Sequence, residues 1–186
     1  MTDRSHPAED QGGARRAPLV VPVPGALTVR DAGPADLAEI LAINNAATPN
    51  VNALDAEPWA WLTAHATYHR IAVDAEGIAG VILCVPAGLP YWSDNYKWFT
   101  ARFSDFLYLD RVVVAERARN RGVGTALYAD LHATVAGRWP RVTLEVNLRP
   151  PNPGSQRFHE RLGYQPVGVR ESEGGAYAVQ MYERAV

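Results

Sequence analysis

The longest apolar run, Ile78 to Val85, follows the turn Asp74-Ala75-Glu76-Gly77 and a second apolar segment, Tyr68 to Val73. Two hydrophobic runs joined by a polar turn ending in glycine predict an antiparallel hairpin. Asp105 to Val114 is predicted as a central strand. Because successive side chains of a strand point to opposite faces, alternation assigns Tyr108, Asp110, Val112 and Val114 to one face. It assigns Leu107, Leu109, Arg111 and Val113 to the other. Beyond it, Val123, Leu127, Leu131 and Val135 recur at four-residue spacing, which predicts a helix that packs on the sheet and stops near Gly137. Arg141 to Asn147, with VTLEVN at its centre, reads as the next strand.

The remaining elements rest on shorter signals. Leu27 to Arg30 predicts a first strand. A helix begins at Pro34, carries Leu37, Ile40 and Leu41 on one side, and ends near Asn44-Asn45-Ala46. Asp55 is placed as the N-cap of a second helix to Ala66, with Trp59 and Leu62 as its apolar face. Pro150, Pro151 and Pro153 require an extended turn before a short helix, Ser155 to Leu162, which Gly163 ends. Tyr164 to Arg170 and Ala176 to Glu183 predict a last hairpin around Glu173-Gly174-Gly175. The order is β α α β β β α β α β β, a mixed α/β domain spanning residues 26–186. Residues 1–25 are polar, contain glycine and proline, and show no periodicity, so a flexible tail is expected there.

Composition narrows the function. Hydrophobic residues make up 47% of the chain and charged residues 20%, ordinary for a soluble globular protein. The net charge of −2 argues against nucleic acid and against an anionic membrane surface as partners. No apolar stretch has the length of a membrane span and no signal-like segment opens the chain, so the expected location is cytoplasmic. The single cysteine, Cys84, lies inside an apolar run and reads as a core residue. His65 and His69 stand four apart without a third ligand in sight, so no metal is expected.

The chemistry is concentrated between Leu107 and Thr125. A buried strand runs into Arg119-Asn120-Arg121-Gly122-Val123-Gly124 and then into a helix. The glycines let a ligand approach the backbone, and the first amides of a helix have no intrahelical partner. Together these suit a phosphate or pyrophosphate, with Arg117, Arg119 and Arg121 adding positive charge. A nucleotide P-loop is excluded because Gly-Lys-Ser/Thr is absent. A dinucleotide fingerprint is excluded because Leu127 stands where its third glycine belongs.

Arg-x-x-Gly-x-Gly after a hydrophobic strand resembles the acetyl-CoA pyrophosphate loop of the GNAT (GCN5-related) N-acetyltransferases. Asn152-Pro153-Gly154-Ser155-Gln156-Arg157-Phe158-His159-Glu160-Arg161-Leu162-Gly163-Tyr164 resembles the same family's C-terminal block, Asn-x-x-Ala/Ser-x-x-Phe/Leu-Tyr-x-x-x-Gly-Phe/Tyr. The resemblance covers roughly residues 27–186. It implies a mixed, mostly antiparallel sheet flanked by helices, with a V-shaped splay between the central strand and the one after it. It also implies acetyl-CoA as co-substrate. The backbone of Arg121, Gly122, Val123, Gly124 and Thr125 would then hold the pyrophosphate, with Arg119 close by. Val112, Val113 and Val114 would pair with the pantetheine arm like an added strand. Asn152 and Ser155 match positions that contact that arm, and each can equally serve as a turn or cap residue.

Acetyl transfer from a thioester to an amine needs a base, a stabilised oxyanion and a leaving thiolate. Asp110 is the expected base, because an acid in an apolar strand is costly unless paired or functional. Glu145 on the next strand is its competitor, and a structural ion pair is the plain alternative for Asp110. Arg111, read as facing the other side, is the less favoured partner for Asp110. His159 stands where the family pattern has tyrosine. It is read either as the acid that protonates the thiolate or as a helix-face histidine without that duty. The aromatic stretch Pro86 to Ser104, with Tyr91, Trp92, Tyr96, Trp98, Phe99 and Phe103, is expected to wall an acceptor pocket or to form a homodimer contact. Asp94 within it is a candidate for an acceptor's ammonium, and Asn44 and Asn45 are candidates for acceptor contact or for helix capping. The expected acceptor is the primary amine of a small molecule. The alternatives are a catalytically silent acyl-CoA-binding sensor or scaffold, and a protein lysine or N-terminal acetyltransferase.

Overall fold

The computed structural model describes residues 26–49 and 51–186, so the expected tail at 1–25 lies outside the described residues. The strands are β1 (Thr28–Asp31), β2 (Tyr68–Asp74), β3 (Gly77–Pro86), β4 (Leu107–Val114), β5 (Arg141–Arg149), β6 (Gln165–Ser172) and β7 (Tyr177–Ala185). The helices are α1 (Leu37–Ala46), α2 (Ala56–His65), α3 (Asp94–Thr100), α4 (Val123–Val135) and α5 (Pro153–Arg161). The strands form one sheet in the order β1-β2-β3-β4-β5-β7-β6. Every neighbouring pair is antiparallel except β4–β5, which is parallel.

Each face of the sheet carries its own core. On one face Leu107, Leu109, Cys84, Val142 and Leu144 pack under Val123, Leu127, Leu131 and Val135 of α4. On the other, Tyr108, Val113, Leu83 and Val85 pack under Ile40 of α1, Trp59 and Leu62 of α2, and Tyr96 and Phe99 of α3. Burying a large aliphatic or aromatic side chain contributes about 1.5–3 kcal/mol, so these two layers carry most of the driving force for folding.

Two expectations are corrected. First, the aromatic stretch 86–104 is not loop throughout. Its middle is α3, where the Ser93 hydroxyl accepts a hydrogen bond from the Tyr96 amide at 3.3 Å, and Tyr96 and Phe99 share the buried side. The helix is short, so its period was masked by aromatic residues on all sides. Second, the alternation along β4 breaks. Leu83 pairs with Arg111 but Cys84 pairs with Leu109, which leaves Asp110 as the extra residue of a bulge. One inserted residue moves every later side chain to the opposite face. Leu107, Leu109, Val112 and Val114 therefore lie toward α4, while Tyr108 and Val113 lie toward α1–α3. Arg111, expected to face away from Asp110, forms an ion pair with it at 2.9 Å.

Gly80 of β3 lets α4 sit close to the sheet. A Cβ there would lie 2.9 Å from Val123 Cγ1, 3.0 Å from the Val113 carbonyl oxygen and 3.2 Å from Leu127 Cδ1. Gly80→Ala is expected to destabilise the fold by about 1–3 kcal/mol through overpacking. Urea unfolding checks this, and a variant with an unshifted midpoint would show that α4 can move away without cost.

Candidate active site

β4 and β5 are joined only at Leu107–Val142 and Tyr108–Thr143. Each strand keeps its outer partner, β3 or β7, for the rest of its length. Beyond Tyr108 the two strands part, and a cleft of about 890 Å³ opens between them. Residues 108–112 of β4 and 144–147 of β5 line its sides. The loop 51–54, the segment 91–95 and the β6–β7 hairpin complete the wall.

The glycine loop follows β4 directly. Asn120 and Gly122 take left-handed backbone conformations, with φ of 60° and 81°. Gly122 caps α4, and a Cβ built on it would meet nothing within 4 Å. The first amide to find a carbonyl at this end of α4 belongs to Ala126, which donates to Gly122 O at 3.0 Å. The amides before it are those that an anion can use. The two glycines differ in purpose. A Cβ on Gly124 would lie 3.2 Å from the Phe158 ring, so this glycine allows α4 to meet α5. Val123 is buried in the core, while Arg119, Arg121 and Thr125 are exposed. Arg117 is committed to Asp74 at 2.8 Å and to the Ile78 carbonyl at 3.1 Å. Val112 lines the cleft, and Val113 is buried in the core beneath it.

Besides Asp94 at the rim, two carboxylates reach the cleft, each set by its neighbours. The Asp110 side chain is only 4% exposed and has both oxygens engaged. Tyr91 donates to Oδ1 at 2.5 Å and Arg111 Nε donates to Oδ2 at 2.9 Å. Burial pushes the Asp110 carboxyl up, while Arg111 and Tyr91 pull it back. Among the described residues Glu145 forms no ion pair. The Tyr108 hydroxyl donates to it at 2.9 Å and the Asn95 amide at 2.8 Å. Burial, reinforced by the charge of Asp110, outweighs those bonds and the charge of Arg111, which reaches Glu145 and pulls its pKa down, and lifts it to about 7. The bulge explains this pairing, because it is what places Arg111 beside Asp110 and leaves Glu145 with neutral donors only.

His159 lies on α5 at the edge of the cleft, 4% exposed. Its Nδ1 lies 2.8 Å from the Ser155 carbonyl, which can only accept, so Nδ1 carries the hydrogen. Nε2 then accepts from the Tyr128 hydroxyl at 2.6 Å. Burial lowers this imidazole to about 4, so it is neutral at physiological pH. Asn152 caps α5 by accepting from the Ser155 amide at 3.2 Å, and both residues line the cleft.

Other candidates serve the walls. Asn44 donates to the Asn52 carbonyl at 3.1 Å, and Asn45 accepts from the Leu54 amide at 2.9 Å. Arg111 Nη1 also donates to Asn52 O at 2.9 Å. These residues hold the 51–54 loop in place. Asp94 is exposed at the rim and pairs with Lys97 at 3.2 Å. Trp61 stacks on Tyr91 beside the opening, and Trp92 meets both rings at steeper angles while staying 50% exposed. Asn95 and Arg170 were not singled out from sequence. Neither sits in a motif, and only tertiary folding brings them to Glu145.

Comparisons with known proteins agree with this geometry. No curated protein sequence matches the chain. Among solved structures, the ribosomal-protein-S18-alanine N-acetyltransferase from Escherichia coli superposes with a TM-score of 0.67 at 14% identity. The match covers 87% of this chain and 94% of that one. Arabidopsis thaliana NAA60 in complex with acetyl-CoA gives 0.68 at 18% identity, over 87% and 100% of the two chains. A GCN5-related N-acetyltransferase from Kribbella flavida gives 0.62 at 23% identity, over 87% and 98%. The profile described as the acetyltransferase (GNAT) family matches residues 37–164, and the chain belongs to that family.

Proposed function

We propose that this chain transfers an acetyl group from acetyl-CoA to the primary amine of a small molecule, by direct attack in a ternary complex. The observation that carries the reading is Glu145, a cleft carboxylate with neutral hydrogen-bond donors, no ion pair among the described residues, and a pKa raised to about 7. A base that titrates near the operating pH is efficient at removing a proton from an ammonium group. A cytoplasmic setting, with its acetyl-CoA, fits this reading.

The residues present fit the coenzyme. The open approach at Gly122 and the unpaired amides of the α4 N-terminus suit its pyrophosphate, with Arg119 and Arg121 nearby. The edge of β4 at Val112–Val114, free of β5, suits the amide groups of its arm. Asn152 and Ser155 face that arm from α5. When bound, acetyl-CoA supplies the activated acyl group.

Glu145 accepts the acceptor's proton, directly or through one water. Asp110 is the base expected from sequence; with both oxygens committed to Tyr91 and Arg111, we assign it instead to holding Arg111, which in turn holds the 51–54 loop. A backbone amide of β4 polarises the thioester oxygen. His159 is a neutral acceptor held by Tyr128 and Ser155, and it fixes α5 rather than delivering a proton. Acetylation of a protein N-terminus is the second reading. It is favoured by neighbours such as Arabidopsis thaliana Naa50 in complex with the bisubstrate analogue CoA-Ac-MVNAL, at 12% identity and a TM-score of 0.65. The aromatic group at the opening favours a compact acceptor. A silent acyl-CoA-binding domain is distinguished by the absence of amine-dependent thiol release.

Calorimetry should detect acetyl-CoA binding in the low micromolar range, abolished by Gly122→Val, which strains the backbone and fills the approach. Gly124→Ala should mainly lower thermal stability by crowding Phe158. No binding by the wild type would overturn the acetyl-CoA reading.

In thiol-release assays, kcat/KM should rise with pH through an apparent pKa of about 7. Glu145→Gln should lower kcat by roughly 10²-fold or more and remove that rise, whereas Asp110→Asn should retain it. A rise lost only in Asp110→Asn would return the base role to Asp110.

Stability offers a second readout. Folding lifts the Glu145 carboxyl from its ordinary 4.5 to about 7, so between those values the folded state binds more protons than the unfolded. The penalty is absent below pH 4.5 and complete above pH 7, at about 3 kcal/mol or less. Glu145→Gln should therefore gain stability relative to wild type as pH rises from about 5 to about 8, measured by urea unfolding. A constant difference across that range would mean that Glu145 is not buried as a charge.

A further inference from the structure

Of the cleft's charged side chains, Asp94 at the rim pairs with Lys97, Asp110 pairs with Arg111, and Glu145 and Arg170 are left apart. Asp110 and Arg111 neutralise each other at 2.9 Å. Glu145 and Arg170 are bridged by the Asn95 side chain, which donates to Glu145 Oε1 at 2.8 Å and accepts from Arg170 Nε at 2.5 Å. Arg170 lines the cleft, with its guanidinium carbon 5.6 Å from the centroid of the Tyr177 ring. Among the described residues it pairs with no carboxylate, and its two Nη groups donate to no protein acceptor. A partly buried guanidinium with its fork unused, beside an aromatic ring, is a site for a planar anion.

We infer that Arg170 binds a carboxylate of the acceptor, so that the acceptor is a small amino acid whose amine lies at Glu145. This rests on the acetyltransfer reading above and names its substrate class. The single amide of Asn95 spaces the acid end from the cationic end, which suits an ammonium and a carboxylate separated by few atoms. A protein N-terminus carries a neutral amide where such an acceptor carries its carboxylate, and would leave Arg170 without a counter-ion. Asn95 also fixes orientation, because its oxygen faces the cation and its NH₂ faces the acid.

The test compares the common L-α-amino acids with their carboxamides, which remove only the anionic end. Each is titrated calorimetrically into the protein with saturating coenzyme A, and each is assayed for thiol release from acetyl-CoA. At least one amino acid should bind tenfold or more tightly than its amide. That ratio should fall toward one in Arg170→Gln and recover in part in Arg170→Lys, which restores the charge without the fork. Equal affinity for acid and amide in the wild type, or a preference unchanged in Arg170→Gln, would overturn the inference. Arg170-dependent binding without thiol release would uphold it and overturn acetyltransfer. Thiol release from amines regardless of a carboxylate would do the reverse.

Discussion

The structure depends on a parallel strand pair that is abandoned after its first two residue pairs. β4 and β5 are held at Leu107–Val142 and Tyr108–Thr143, and then each follows its outer neighbour. An unpaired backbone in the middle of a sheet is costly unless water or a ligand takes its hydrogen bonds. That cost is tolerable here because β3 and β7 anchor the two strands over almost their whole lengths. The well-packed layers on either face carry the stability, so the gap between the strands is free to carry chemistry.

The bulge at Asp110 decides what the gap contains. With regular alternation, Asp110 and Arg111 would lie on opposite faces, and the acid would enter the cleft unpaired. The extra residue places them side by side, and their mutual charge is cancelled within the strand. Glu145, on a strand without such a bulge at its position, accepts from the Tyr108 hydroxyl and the Asn95 amide and forms no ion pair among the described residues. Two acids in one cleft are thereby given different partners by backbone geometry, one an ion pair and the other neutral donors.

Most of the fold was legible in the sequence because its elements obey one period each. The β2–β3 hairpin and α4 have boundaries within a residue or two of those expected, and α5 within about two. The glycine turn before α4 was legible because Gly122 meets a local backbone demand, a left-handed residue before a helix. The face of Arg111 and of the valines after it was not legible, since a bulge depends on how β3 and β4 pair and leaves no local mark in an apolar run. The network of Asn95, Glu145 and Arg170 joins three elements separated by 50 and 75 residues, so no window along the chain contains it. Gly124, read from sequence as room for a ligand, also leaves room for the Phe158 ring, a contact that only packing can reveal.

The departure at His159 follows from the same division of labour. An ordinary thiol titrates near 8.5 and an amine such as lysine's near 10.4. At neutral pH a departing thiolate needs little help, while the amine must lose a proton before it can attack. In the proposed mechanism the raised carboxylate, Glu145, takes that harder proton. At the motif's tyrosine position it places an imidazole whose two nitrogens are already engaged, one with the Ser155 carbonyl and one with the Tyr128 hydroxyl. That arrangement ties α5 to α4 across the same seam that Gly124 and Phe158 close. Rigidity there holds Asn152 and Ser155 against the cleft. On this account His159 acts through position, and the family's acid can be lost because the base step is the one that limits attack.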